Sequence, residues 1–239
     1  MANAGEFPIE NRPPAAIAHE AAAIARPKVA VDTVLFAVGG RGLEYYLLQL
    51  AGGPNAGKWA FAGGLVRVGE TLDGAARRAL RDASALTNAY LEQLFSFGDP
   101  SRDPTSHVVS VAYMALIDNP KRIGAASSKY SGGRWFAAGE LPELAYDHSL
   151  MAEYALARLR AKLEYTNIAC ALLPPSFTFA ELEEVYAAVL ERPLDRRNFR
   201  RRIMAMDLLR RTPEQRRGAH RPAALYAFKH RSVRAIQML

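Results

Sequence analysis

Cysteine is almost missing: Cys170 is the only one in 239 residues. No internal disulfide can form, which excludes the disulfide-stapled secreted scaffolds and fits a reducing compartment. Its neighbours Ile168, Ala169, Ala171 and Leu172 mark it as a buried thiol and not a nucleophile. No run of about 20 apolar residues exists, so no transmembrane helix and no membrane partner are expected. Residues 1–27 are rich in Ala and Pro but lack the basic start and continuous apolar stretch of a signal peptide. A flexible N-terminal arm is expected there, and the cytoplasm is the expected compartment. His148 has no second histidine nearby, so it is read as a helix-start residue behind an Asp147 cap and not as a metal ligand.

Acidic charge is short in one region only. Residues 1–175 carry 17 Lys+Arg and 17 Asp+Glu, whereas residues 176–239 carry 14 and 7, so the whole net charge of +7 sits in the last quarter. Such asymmetry points to a polyanionic partner for that piece, against the alternative of a solvated basic face. Half of the residues are hydrophobic, and the length suits two domains. The break Leu173-Pro174-Pro175-Ser176 and the charge shift put a boundary there. The expected division is 28–163 for an effector domain, 164–176 for a linker and 177–239 for a basic module.

Val29 to Ala37 reads as a buried strand, Gly39 to Gly42 as a turn and Tyr45 to Leu50 as the returning strand of a hairpin. Trp59 to Ala62, Leu94 to Gly98, Val108 to Ile117 and Arg134 to Phe136 supply further strands. Asp147 to Leu163 reads as a long helix, with Met151, Tyr154, Ala155, Leu159 and Leu163 at apolar positions. The fold class expected is α+β, a mixed sheet with flanking helices followed by a small winged helix-turn-helix.

Carboxylates are missing from a stretch whose frame calls for them. Gly64 is followed after five residues by Glu70 and after seven more by Arg78, with Leu80 and Leu86 at apolar positions and Gly57 to Gly64 (GKWAFAGG) leading in. This resembles the box of the Nudix hydrolases: Gly, five residues, Glu, seven residues, then Arg-Glu-apolar-any-Glu-Glu-any-Gly-apolar. Diphosphate hydrolysis needs a divalent cation, held by carboxylates spaced along one helix face. At those three positions stand Ala79, Asp82 and Ala83; Ala85 replaces the closing Gly, and Arg67 an acid often found upstream. An ordinary alanine-rich amphipathic helix shows a similar stripe (Leu72, Ala76, Ala79, Ala83), so the register of Gly63, Gly64, Glu70 and Arg78 carries the resemblance. In that family the Glu and Arg brace the loop. The chain is therefore expected to be no enzyme, with no metal site and no required cofactor.

Candidate ligand-binding residues are Lys58, Trp59, Gly63, Gly64, Glu70, Arg78, Asp82 and Arg102. Arg102 either meets a ligand phosphate or pairs with Asp103 to brace its turn, and Trp59 is either core or a stacking platform.

In the basic module Thr178 and Glu181 form a capping-box pattern, Pro193 stops the first helix and Asp195 caps a second, Arg196 to about Met206. Phe199, Ile203 and Met206 form its core stripe; Arg197 and Arg201 point away from it, with Arg196, Asn198, Arg200 and Arg202 alongside. Basic residues so placed suit guanine edges or phosphates in a major groove. Leu208 to Thr212 and Ala224 to Phe228 form a wing whose tip carries Arg216, Arg217 and Arg221.

With Leu144 to His148 (LAYDH), Lys162 to Tyr165 (KLEY), Phe177 to Leu182 (FTFAEL), Arg192 to Arg201 (RPLDRRNFRR) and Arg221 to Tyr226 (RPAALY), the chain resembles the Nudix-related transcriptional regulators, the NrtR family, over about residues 28–230. That resemblance implies a homodimer, a Nudix domain that binds ADP-ribose or a related nucleotide sugar without turnover, and a winged helix bound to double-stranded operator DNA. It also implies a repressor of NAD-metabolism or sugar-use genes. The rivals are an active hydrolase of ADP-ribose pyrophosphatase type with an accessory nucleic-acid module, and an adaptor that binds no DNA.

Overall fold

The computed structural model describes residues 26–125, 127–216 and 222–236. The expected arm, apart from residues 26 and 27, lies outside them, as do Arg217 and Arg221. β1 (Lys28–Gly39) is the central strand. Almost all of it is buried because the sheet is covered on both sides, which is why its sequence is a near-continuous apolar run. β1 turns at Gly42, where φ is 87°, into β2 (Gly42–Leu50). β3 (Trp59–Ala60) pairs with β2, and β4 (Ala62–Leu65) runs antiparallel to the first half of β1.

Helix α1 (Leu72–Ser84) starts at Thr71, whose hydroxyl accepts the Gly74 amide at 3.1 Å. It ends at Ala85 in a left-handed conformation, φ 58°. β5 (Tyr90–Phe97) and β6 (Val108–Leu116) follow, with β6 parallel to β1. β7 (Tyr130–Ala137) pairs with β2 and completes a seven-stranded mixed sheet. Leu35 and Ala37 face α1, while Val34 and Phe36 face α2 (His148–Tyr165), so the strand's alternation serves two layers. On α2, Met151, Ala155, Leu159 and Leu163 are the buried stripe. Tyr154, expected in that stripe, is 44 % exposed and stacks on Phe95 across the surface.

Within residues 164–176, expected as a linker, Thr166 to Cys170, Leu172 and Leu173 are buried, whereas Glu164, Tyr165 and Pro175 are exposed. Ile168–Ala171 forms one helical turn, and Ile168, Ala169, Cys170, Leu172 and Leu173 join a single core that reaches both halves of the chain. The Asn167 amide donates to the His230 and Ser232 carbonyls, and Arg231 donates to those of Cys170 and Leu173. Residues 230–232 return beside this stretch and satisfy its polar groups.

β8 (Phe177–Thr178) leads into α3 (Phe179–Leu190), where the Thr178–Glu181 capping box forms in both directions. α4 (Arg196–Ala205) starts at Asp195, whose carboxylate accepts the Asn198 amide. β9 (Leu209–Arg216) and β10 (Ala223–Phe228) make the wing, in a sheet ordered β8-β10-β9. The architecture is α+β: a mixed sheet between helices, then a winged helix-turn-helix. Among the described residues no helix is long and apolar enough to cross a membrane.

Candidate functional site

The stretch singled out by its spacing forms one rigid corner. Glu70 accepts from Arg78 Nε at 2.7 Å, from Arg78 Nη2 at 2.8 Å and from the Arg67 amide at 3.0 Å. Arg78 also donates to the Leu65 carbonyl, so one ion pair ties β4, the following loop and α1 together. The Arg78 hydrogen bonds, joined by the Arg67 amide, hold the Glu70 carboxyl down at about 2. Gly63 is sterically required: a Cβ there would lie 1.9 Å from Asp32 Oδ1 and 2.7 Å from the Val31 carbonyl.

The missing carboxylates are explained by packing. Ala79 contributes to the core beside Val31, Val111 and Tyr113, and Ala83 to the one beside Leu35 and Ile117. Both methyl groups are buried against the sheet, and Asp82 is exposed on the outer side of α1. Among the described residues no group of three or more His, Cys, Asp or Glu could hold a metal ion.

A cleft of about 90 Å³ opens beside the glycines, lined among others by Asp32, Gly63, Gly64, Arg102, Lys129, Tyr146 and His148. A shallower groove of about 480 Å³, with Phe95, Leu150 and Tyr154 on its walls, shares Arg102 and Tyr146 with it. Together they have the size and mixed lining of a small-ligand site.

Of the candidate ligand-binding residues, Gly63, Gly64 and Arg102 line the cleft; Glu70 and Arg78 shape its edge. Lys58 is paired with Glu143 on the surface, and Trp59 packs edge-on against Phe136 at 4.8 Å beneath Arg134; neither is among the residues that line the cleft.

Arg102 takes Asp147, and not its neighbour Asp103, as its partner. It is buried, donates two hydrogen bonds to Asp147 at 2.8 and 2.6 Å and lies 3.7 Å from Asp32. Asp103 caps its own turn through Thr105 instead. Asp147 holds the N-cap position of α2, but its carboxylate is turned to Arg102 and makes no capping bond.

Asp32, Ser110 and His148 complete a buried polar cluster. Ser110 donates to Asp32 at 2.6 Å. His148 Nδ1 accepts the Phe61 amide, which places the ring proton on Nε2, 3.6 Å from Asp32 Oδ1. Burial alone would raise the Asp32 carboxyl, but His148, Ser110 and Arg102 outweigh it and hold it below the ordinary carboxylate range. Tyr146, just before this cluster, adopts φ 55°, uncommon for a residue with a side chain, and puts its ring against His148 at the cleft mouth. One signal for the cluster was present in the sequence: Asp32 is a lone carboxylate inside an apolar strand. Tyr146 stood only as part of the LAYDH motif, and Lys129 carried none.

The basic module divides its arginines between fold and surface. Arg200 lies over the Phe179 ring at 4.6 Å and donates to the Tyr226 hydroxyl, bracing α4 on the wing. Arg216 pairs with Glu181 at the start of α3, so it anchors the wing. Arg197 and Arg201 stand on the exposed side of α4, where Arg201 donates to Asn198 at 2.8 Å. Arg196 is exposed near Glu183, and Arg202 flanks a groove with Glu164 and Met206. Arg210 and Arg211 on β9, not singled out by spacing, add exposed cations, and Arg211 lines a groove between α4 and the wing with Arg200 and Tyr226. Only Ile203 is fully buried on α4; Phe199 packs edge-on to Tyr186 at 4.9 Å.

Two family models match: the NUDIX domain over residues 26–157 and the NrtR DNA-binding winged helix domain over residues 169–228. The chain is 33 % identical over 206 residues to the ADPR responsive transcriptional repressor NtrR of Acinetobacter baylyi, a match covering 84 % of this chain and 82 % of that one. It is also 28 % identical over 122 residues to the ADP-ribose pyrophosphatase of Methanocaldococcus jannaschii, covering 51 % of this chain and 69 % of the relative. The crystal structure of Shewanella oneidensis NrtR complexed with a 27mer DNA superposes with a TM-score of 0.74 at 32 % identity, covering 84 % of this chain and 93 % of that one. With both modules matched in order, and with the braced glycine loop and the basic second helix in place, the chain belongs to the NrtR family of Nudix-related transcriptional regulators.

Proposed function

We propose that this chain represses transcription as a homodimer on operator DNA of NAD-metabolism or sugar-use genes, and that ADP-ribose or a related nucleotide sugar in the Nudix cleft releases it without being hydrolysed. The carrying observation is the pairing of an intact frame with absent metal ligands: Glu70 and Arg78 still brace the loop, whereas Ala79 and Ala83 are packed into the sheet. Support for the ligand comes from the Acinetobacter relative, described as ADPR responsive. Support for the DNA half comes from the Shewanella structure with its 27mer and from the exposed Arg196, Arg197 and Arg201. One short basic helix covers few base pairs, so selectivity favours two half-sites and a two-fold dimer.

Ligand and DNA act on one another only if the ligand prefers one arrangement of the two modules. Helix α2 is the connecting element: its start holds Asp147 against Arg102 at the cleft, and near its end Arg160 donates to the Val189 carbonyl of α3. The test is selection of bound fragments from sheared genomic DNA, followed by titration with ADP-ribose at one salt concentration. DNA affinity should fall about 5- to 150-fold, and bound operator should weaken ADP-ribose binding by the same factor. Unchanged affinity in a protein that binds both ligands refutes the coupling. Release of AMP with Mg²⁺ at about 1 s⁻¹, a working enzyme's rate, favours the hydrolase reading instead.

A further inference from the structure

One cation in the cleft has, among the described residues, no carboxylate to neutralise it. Arg102 is paired with Asp147 and Asp32, Arg78 with Glu70, and Lys58 with Glu143. Lys129 forms no ion pair among the described residues. Its ammonium donates to the Gly63 carbonyl at 2.5 Å and, among the described residues, otherwise meets only the Tyr130 ring at 5.2 Å. The ammonium also lies 3.8 Å from where a Cβ on Gly64 would stand, at the open side of the glycine pair.

The backbone around Lys129 is tied down. Gly124 and Ser127 donate to the Ser84 and Asp82 carbonyls at the end of α1, and Ala51 donates to the Lys129 carbonyl. The loop that carries the cation is thus docked on the helix that lacks the carboxylates.

The fold family implies divalent cations at this corner, and the residues present do not fit them. Such ions want oxygen ligands, chiefly carboxylates. Ala79 and Ala83 offer none, Asp82 is exposed on the outer side of the helix, and the ammonium on the Gly63 carbonyl would repel a divalent cation beside it. An ammonium has three donors. One is taken by Gly63, which leaves two for anion oxygens beside an open glycine backbone.

We propose that the cleft holds the diphosphate of its nucleotide-sugar ligand on the Lys129 ammonium, in place of the divalent cation that the fold implies, so that binding needs no metal. This rests on the reading of the cleft as a nucleotide-sugar site. A fixed monocation neutralises ground-state phosphate charge, but it does not generate a hydroxide nucleophile as a bound metal does. The same substitution therefore serves recognition while withholding turnover.

The test is calorimetric titration of the full chain with ADP-ribose and, separately, with inorganic diphosphate, in chelator and in excess Mg²⁺. The wild type should bind both with affinities that agree within about twofold between the two buffers. Lys129→Met should weaken both by about 10- to 150-fold, the range for losing one charge-assisted hydrogen bond, and Mg²⁺ should not restore them. Lys129→Arg, which keeps the charge, should recover most of the loss. Lys129 is exposed, so melting of the variants should match the wild type. Wild-type binding that requires Mg²⁺, or equal affinity in Lys129→Met, overturns the proposal. If ADP-ribose fails to bind while inorganic diphosphate binds through Lys129, the effector reading falls and the cation site stands; if neither binds, both fall.

Discussion

Replacing Arg102 by Met removes the guanidinium from a buried acidic pocket while keeping most of the side chain's volume. The Arg102 side chain is 4 % exposed and that of Asp32 11 %, so the cost follows the rule for broken buried pairs and not the small value for surface ones. Two hydrogen bonds to Asp147 are lost and Asp32 loses a cation 3.7 Å away. About 3–5 kcal/mol of destabilisation is expected, most of it from carboxylates left buried without a partner. At about 2–4 °C per kcal/mol for a chain of this size, the melting temperature should drop by about 6–20 °C near neutral pH. The pH dependence supplies the sharper check. In the wild type Asp32 is held below its ordinary value, so its ionised form stabilises the fold above the unfolded pKa of about 3.9, and that contribution fades as pH falls through the folded value. Without Arg102 the Asp32 carboxyl protonates at higher pH than in the wild type, which relieves part of its uncompensated charge. The variant's deficit should therefore shrink between pH 7 and pH ~4.5, an interval that lies above the ordinary aspartate value. Combining Arg102→Met with Asp32→Asn should recover part of it at pH 7. Melting followed by tryptophan fluorescence across that range decides the matter. A drop under about 2 °C, near what half a kcal/mol produces, or a deficit that grows on acidification, would refute the reasoning.

Arg197→Ala and Arg201→Ala should each cost about 1–3 kcal/mol of operator binding if they read bases, measured by fluorescence anisotropy at fixed salt. The wild-type affinity should fall linearly on a log–log plot against salt, because neutralised phosphates release counterions; a flat plot removes the DNA reading. Ala83→Glu, a carboxylate returned to the box, should create no hydrolase. It should destabilise the fold by more than about 3 kcal/mol, because position 83 is fully buried against the sheet; a stable, AMP-releasing variant would contradict the packing argument. Glu70→Gln should abolish the part of acid unfolding that falls between Glu70's ordinary pKa and about 2, since the Arg78 bond depresses that group in the folded state and its stabilisation is lost as pH falls through that window. Acid titrations of wild type and variant that superpose would show the brace to be inert.

The amino-acid sequence by itself determined the parts whose cause is local. The buried apolar run of β1, the Asp195 cap and the Thr178–Glu181 box arise between residues a few positions apart, so the local sequence reveals them. The Glu70–Arg78 brace was legible for the same reason, eight residues across one loop. Tertiary structure decided what spacing does not carry. Arg102 could have paired with its neighbour Asp103; burial beside Asp32 and Asp147 gave it carboxylates from two other segments instead, since an unpaired cation there would be costly. The 164–176 stretch looked like a linker because two prolines end it, but residues 230–232 return beside it and satisfy its polar groups. Arg200 and Arg216 read as DNA contacts from their place on a helix and a wing; that they also meet the Phe179 ring and the Glu181 carboxylate follows from the packing of α3, which spacing does not carry. Lys129 is the plainest case. Nothing around it in the chain distinguishes it from any surface lysine, and only the docking of its loop on α1 sets its charge at the Gly63 carbonyl, where the missing carboxylates give that charge its meaning.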